Sequence, residues 1–251
     1  FPTIALLHNI METVDLESAG FAQNRLFSSL IRTAGNIVTR ILLKADYIAL
    51  TIPKYVEIIS EKYGADNVLL APHGAFEATE LPDMALPEGP RQIMTFGKFG
   101  TYKKIEVLID AVQSLRNNDH PDIELIVAGS DSPNTPGYLK GVEATYGQLP
   151  WLTYTGYVAE EDVPQLFQDS AVVVFPYTST TGSSGVLHQA GSYGKPAVLP
   201  RIGDLAELIT EEGFAGEFFA PDDDNSLAQA IAAVLDDDEK RCQMGRQNYM
   251  A

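Results

Sequence analysis

Short runs of apolar, β-branched residues alternate with segments of helical period along almost the whole of this chain. They stand at Thr3–Leu7, Tyr47–Leu50, Val68–Leu70, Gln92–Phe96, Ile123–Ala128, Leu152–Tyr154, Ala171–Phe175, Ala197–Leu199 and Gly216–Phe219. Between them, Lys104–Leu115 sets Ile105, Leu108, Ile109, Val112 and Leu115 on one helical face. Leu227, Ile231, Val234 and Leu235 repeat that pattern in the last clear helix. A run such as Val172-Val173-Val174-Phe175 has no polar side to turn to water, so it needs cover on both faces. The alternation predicts an α/β fold, a parallel sheet with helices on both faces. In such sheets ligands sit at the carboxyl ends of the strands, where loops run into helix N-termini.

Charge divides the chain. Residues 1–65 hold as many bases as acids, so the whole formal net charge of −17 lies beyond them. This shift, with Pro72, Pro82, Pro87, Gly89 and Pro90 nearby, predicts part of one domain over residues 1–65, a linker over 66–90 and a second domain over 91–251. So acidic a chain repels a nucleic-acid backbone, and no nucleic-acid partner is expected. One cysteine makes no internal disulfide and leaves a Cys/His zinc site short of ligands. No apolar run reaches the roughly 20 residues that span a bilayer. The opening Phe1-Pro2-Thr3-Ile4, without Met or a basic signal-peptide start, is what the middle of a protein looks like. Residues 24–44 are basic and amphipathic, with Arg25, Arg32, Arg40 and Lys44 among Leu26, Phe27, Leu30, Ile31, Ile37, Ile41 and Leu42. The preferred reading is a helix packed on its own sheet with a solvated basic face. Peripheral contact with an anionic membrane surface is the alternative. Gly35 is a candidate break.

Two loops carry chemistry. In the first, Phe96-Gly97-Lys98-Phe99-Gly100-Thr101-Tyr102-Lys103-Lys104, three lysines follow a strand and precede a helix in otherwise acidic surroundings. Glycines permit tight turns, and a helix N-terminus adds backbone donors and partial positive charge, so a diphosphate suits this place. The second loop, Tyr177-Thr178-Ser179-Thr180-Thr181-Gly182-Ser183-Ser184-Gly185, leads into a short helix suggested by Val186, Leu187, Ala190 and Tyr193. A Gly/Ser/Thr run at a helix start offers N–H groups and hydroxyls to phosphate or sugar. Gln189 lies one turn further on, its side chain tilted back toward the loop. His8 and Asn9 end the first strand, where a ligand site belongs. Asp222-Asp223-Asp224 and Asp236-Asp237-Asp238 are better read as solvated helix-end and turn residues, with Asn225 or Ser226 capping, than as metal ligands. Gly182-Ser183-Ser184-Gly185 beside His188 is not a hydrolase nucleophile elbow.

In chain order come Phe96-Gly97-Lys98…Lys103, Val127-Ala128-Gly129, Tyr154-Thr155-Gly156-Tyr157-Val158, Phe175-Pro176, the Gly/Ser loop, Gly194-Lys195-Pro196 and Gly203…Glu207. From about residue 66 to 250 this succession resembles the donor-binding domain of GT-B glycosyltransferases of family 4, the glycosyl transferases group 1. Residues 1–65 resemble the end of that family's N-terminal, acceptor-side domain. The resemblance implies a Rossmann-like donor domain plus part of a second Rossmann-like domain. It implies transfer of a sugar from a nucleotide-diphosphate sugar, a UDP or GDP sugar, to a saccharide or lipid-linked acceptor. The expected enzyme is retaining, independent of metal and of any other cofactor, and serves polysaccharide or glycolipid biosynthesis. Its expected place is the cytoplasm or the periphery of the inner membrane.

The resemblance also implies roles. Lys98 and Lys103 hold the donor diphosphate, and Gly74 faces it. Tyr157 and Val158 contact the nucleobase, and His8 approaches the transferred sugar as the catalytic candidate. Where the family carries a pair of glutamates for sugar and ribose, this chain has Thr181 and Gln189. Gly182, Ser183, Ser184 and Gly185 complete the ribose and sugar subsite. Neutral groups accept hydrogen bonds less strongly than carboxylates, so a catalytically silent nucleotide-sugar-binding or partner-binding module is the alternative reading. An epimerase of similar fold fits the Gly/Ser loop less well. With so little of the acceptor side present, residues 1–251 alone are expected not to complete the reaction.

Overall fold

A computed structural model of the chain describes residues 1–8, 10–12, 25–72, 81–178, 184–202 and 205–251, without the side chains of residues 25–27 and 207–208. Two compact units divide it, with the boundary between Gly74 and Ala75.

The first unit runs β1 (Ile4–Leu7), α1 (Arg25–Leu42), β2 (Tyr47–Leu50), α2 (Pro53–Tyr63) and β3 (Val68–Leu70). Its strands form a parallel sheet in the order β1-β2-β3, so β3 is a sheet member although it falls within residues 66–90. The central strand β2 is the buried one, through Ile48, Ala49 and Leu50. Helix α2 begins with Pro53, whose missing N–H is not needed there, and ends at Gly64 in the left-handed conformation with φ 61°.

Helix α1 is not broken at Gly35. Glycine is required because Met11 lies against the helix, and a Cβ at Gly35 would fall 2.7 Å from Met11 Cβ. Glu12 then ties α1 to α2, accepting from Thr39 Oγ1 at 3.2 Å and from Tyr63 Oη at 2.6 Å. Burial, reinforced by that carboxylate, pushes the Tyr63 phenol up to about 12. The expected apolar packing face of α1 is instead turned outward: Leu30, Ile37, Val38 and Ile41 are each more than half exposed. Its buried side holds Gly35 and Thr39, facing Met11 and Glu12, so contact with its own sheet does not cover the stripe.

The second unit runs β4 (Gln92–Phe99), α3 (Glu106–Asn118), β5 (Glu124–Asp131), α4 (Tyr138–Tyr146), β6 (Leu152–Gly156), α5 (Val163–Asp169), β7 (Ser170–Val174), α6 (Gly185–Ser192), β8 (Ala197–Pro200), α7 (Leu205–Glu211), β9 (Gly216–Phe219), α8 (Asp224–Leu235) and α9 (Asp238–Met250). Strand order is β6-β5-β4-β7-β8-β9, all parallel. The two-residue period of a strand sorts the core into two layers. Ile93, Leu125, Val127, Val172, Val174 and Val198 pack with α3 and α8 on one face. Met94, Ile126, Ala128, Val173, Ala197 and Leu199 pack with α5, α6 and α7 on the other. Burying a side chain such as Phe167 completely contributes about 1.5–3 kcal/mol.

Both aspartate runs begin helices. Asp223 caps α8, its carboxylate accepting from Ser226 N at 2.9 Å, and Asp237 caps α9 through Lys240 N at 2.9 Å. The first cap is therefore Asp223 rather than Asn225 or Ser226, because a cap residue must be extended and Asp223 is, with φ −121° and ψ 100°. Asp223→Ala is expected to lower stability by about 1 kcal/mol in a denaturant melt. Helix α9 has no apolar stripe to betray it. Its buried face is Arg241, Met244, Gly245 and Asn248, and its attachment is polar. Asn248 donates to Lys195 O and Ala215 O at 3.0 Å, and the Arg241 guanidinium donates to Met84 O at 3.1 Å. Met84 is thereby fastened to the second unit.

Candidate functional site

In the second sheet the chain starts at the centre with β4, moves outward to β6, returns beside β4 with β7 and moves outward again to β9. The connections reverse between β4 and β7, and the helices leaving those two strands go to opposite faces. A crevice therefore opens at the carboxyl ends of β4 and β7, the place where this topology takes ligands. Both loops singled out by sequence leave from it.

The first loop is shorter than expected because β4 runs on to Phe99, which is fully buried. Gly97 and Lys98 are strand residues, paired in register with Gly129 and Ser130 of β5. This continuation depends on Gly129, at φ 137°, where a Cβ would lie 1.8 Å from Gly97 O. Gly97 has φ 127°, and a Cβ there would meet Lys103 Nζ at 2.7 Å and Val186 of α6 at 3.9 Å. The chain then folds back: Gly100 N donates to Lys103 O at 2.8 Å.

The second loop is stitched to the first. Lys103 and Tyr177 form an antiparallel bridge, Thr178 N donates to Tyr102 O at 2.8 Å, and Lys104 N donates to Pro176 O at 3.1 Å. The three lysines consequently differ. Lys98 and Lys104 are exposed, while Lys103 is 5% exposed, with its Nζ donating to Phe96 O at 3.3 Å and lying 5.1 Å from the centre of the Tyr177 ring. Burial brings its ammonium down to about 8 from the usual lysine value of 10.5. The titratable groups in contact with it are the phenols of Tyr102 and Tyr177, both raised by burial.

Helix α6 begins at this crevice. Its N-cap, Ser184, is extended but makes no side-chain cap bond, and its Oγ lies 2.8 Å from Tyr177 Oη. The first-turn N–H groups of α6 are thus left without a side-chain acceptor from Ser184. Gln189 lies one turn along, partly buried. Along the sheet, Gly156 ends β6 with φ 67°, Tyr157 follows with 83% of its surface exposed, and Val158 packs partly against the core. Thr155 Oγ1 accepts from Gly129 N at 3.3 Å, joining the ends of β5 and β6.

The structure thus brings Lys103, Ser184 and Gly185 together around Tyr177, leaves Lys98 exposed on the end of β4, and has Tyr157 and Val158 follow the neighbouring β6. His8 follows β1 in the first unit. Gly74, Thr181, Gly182 and Ser183 lie outside the described residues. Two residues had been given no role, Gly129 and Tyr177. The signal for Gly129 was its place directly after a buried strand; for Tyr177 there was only its place at the head of the Gly/Ser loop. A neighbouring cavity of about 320 Å³ includes Glu106, Asp110 and Asp222 in its lining. Lys104, Tyr177 and Thr178 line the same cavity.

The fold defines a doubly wound α/β unit whose switch point lies at the ends of β4 and β7. The chain belongs to the glycosyl transferases group 1 family, whose sequence profile matches residues 90–237. It is 28% identical over 200 residues to a D-inositol 3-phosphate glycosyltransferase of Corynebacterium glutamicum, covering 77% of this chain and 46% of that one. It is 26% identical over 159 residues to the D-rhamnosyltransferase WbpZ of Pseudomonas aeruginosa, covering 63% and 39%. The chain thus spans less than half the length of either relative. In fold it is similar to Anabaena Alr3699/HepE, solved in complex with UDP and glucose, with a TM-score of 0.74 and 20% identity over 99% of this chain and 66% of that one. No helix among the described residues is long and apolar enough to cross a membrane.

Proposed function

We propose that this chain is the donor half of a glycosyltransferase that moves a sugar from a nucleotide-diphosphate sugar, UDP- or GDP-linked, to a saccharide or lipid-linked acceptor. The observation that carries the reading is the meeting of Lys103 and the first turn of α6 beside Gly97 at the switch point, with Lys98 exposed on the end of β4. A leaving diphosphate gathers negative charge as the glycosidic bond breaks, and preorganised donors aimed at that charge lower the barrier. Lys98 reaches it from solvent, Lys103 from a site with little water, and the α6 N–H groups from the third side. Tyr157 and Val158 receive the base, and Ser184, Gly185 and Gln189, with Thr181, Gly182 and Ser183, receive ribose and sugar. The roles that the family resemblance implies for Gly74, at the phosphates, and for His8, at the transferred sugar, belong to the same proposal.

Charge neutralisation by two lysines and a helix N-terminus does the work that a metal does in other transferases, so the reaction proposed is metal-independent. It is also proposed to be retaining, with the leaving diphosphate assisting removal of the acceptor proton. Polysaccharide or glycolipid assembly in the cytoplasm is the setting that fits the saccharide-transferring relatives. The exposed apolar stripe of α1, with Arg32 and Arg40 on the same helix, fits peripheral contact with an anionic membrane.

The test takes the full-length protein and screens UDP-, GDP- and ADP-sugars for binding, and for turnover with and without chelator, reading the anomeric configuration of the product. Lys98→Ala is expected to weaken binding about three- to tenfold, the effect of one exposed charge-assisted hydrogen bond. Unchanged affinity in both the Lys98 and Lys103 variants would remove the site assignment. Binding without turnover across a broad acceptor set would favour the silent module, to which the neutral Gln189 points.

A further inference from the structure

Tyr177 has no task in that account, yet it touches both halves of the diphosphate site. It is buried to 6% exposure, and a buried phenol needs a hydrogen-bond partner. It finds one in Ser184 Oγ at 2.8 Å. Ser184 has the residue type and the extended backbone, φ −111° and ψ 112°, of a serine that caps its own helix, but makes no such bond. Its hydroxyl is occupied elsewhere. On the other side, the Tyr177 backbone bridges Lys103 and its ring lies 5.1 Å from the ammonium. The ring is itself held edge-on by Phe175 at 5.6 Å and by Tyr102 at 5.3 Å.

We propose that Tyr177 is a positioning residue for the donor diphosphate: it holds the Ser184 hydroxyl away from the α6 N-terminus, keeping those N–H groups open to the phosphates, and braces Lys103 beside them. The proposal rests on the donor-site reading above. A serine free to cap would place its oxygen on the N–H groups that the phosphate needs, and every binding event would have to displace it. With Tyr177 present the competitor is already engaged.

The experiment measures UDP, GDP and ADP binding calorimetrically to the full-length protein, to Tyr177→Phe and to Tyr177→Phe/Ser184→Ala, with a thermal melt of each. Tyr177→Phe keeps the ring and frees the serine. It is expected to weaken the tightest-binding nucleotide about three- to tenfold, the range of one hydrogen bond, without lowering the melting temperature. Adding Ser184→Ala removes the competing oxygen and should recover most of that loss, which a merely space-filling tyrosine would not produce. Wild-type affinity in Tyr177→Phe, or no recovery in the double variant, overturns the role of Tyr177 while Lys103→Met still weakens binding. If the wild type binds none of the three nucleotides, or neither Lys98→Ala nor Lys103→Met weakens binding, the donor site itself is overturned and the inference with it.

Discussion

Gly129→Ala is expected to lower stability by about 3 kcal/mol or more, a fall of roughly 6–12 °C in the melting temperature of a protein this size. Two terms combine. The backbone at φ 137° suits no L-side chain, and the new methyl would lie 1.8 Å from Gly97 O, a backbone atom that cannot rotate away. Gly137→Ala separates the terms. Its φ is 86° but nothing lies within 4 Å, so only the conformational penalty of about 1–2 kcal/mol remains. If the two variants melt together, the close approach of β4 and β5 is not what requires glycine. Relief of the clash would push Gly97 and Lys98 out of register with Gly129 and Ser130, so Gly129→Ala should also lose nucleotide binding.

Lys103→Met is expected to weaken nucleoside-diphosphate binding on the order of 10- to 100-fold, the worth of a charge-assisted hydrogen bond in a site with little water. The same change should leave the melting temperature unchanged or raise it. The ammonium is buried, donating to Phe96 O, and burial disfavours its charge. Acidity gives a second signature. Diphosphate favours the protonated amine, so binding is strongest below about pH 8 and weakens as pH rises through that value. Above it the loss is roughly tenfold per unit until the higher pKa of the complex is reached. Titrations from pH 6.5 to 9.5 should show this slope in the wild type and not in Lys103→Met. A slope that survives the substitution assigns the proton elsewhere.

The strands were legible because they are short runs rich in apolar and β-branched residues, the central ones buried on both faces, and every one expected from sequence is present. Helices α3, α6 and α8 were legible for the related reason that their buried residues recur at helical spacing. Helix α9 was not. Arg241, Gly245 and Asn248 hold it through hydrogen bonds and close backbone approach, with a Cβ at Gly245 falling 2.2 Å from Gly194 O, and none of this leaves an apolar period. The outward stripe of α1 was misread because periodicity shows that a helix has an apolar face and not which surface meets it.

At the candidate site the sequence alone determined the cast. It set lysines after one central strand and a Gly/Ser/Thr run after another, in an order that matches a known family. Tertiary structure decided their states. Lys98, Lys103 and Lys104 stand within seven positions in the sequence, yet Lys98 and Lys104 meet water while Lys103 lies under Tyr177 with its charge disfavoured. Ser184 stands at the N-cap of α6 but makes no side-chain cap bond, its hydroxyl lying instead 2.8 Å from that of Tyr177, seven residues earlier. Residue type fixes what a side chain can do, and local spacing fixes which element it rides on. Burial, charge state and the choice of hydrogen-bond partner depend on chain brought from elsewhere, and that is set only when the sheet closes.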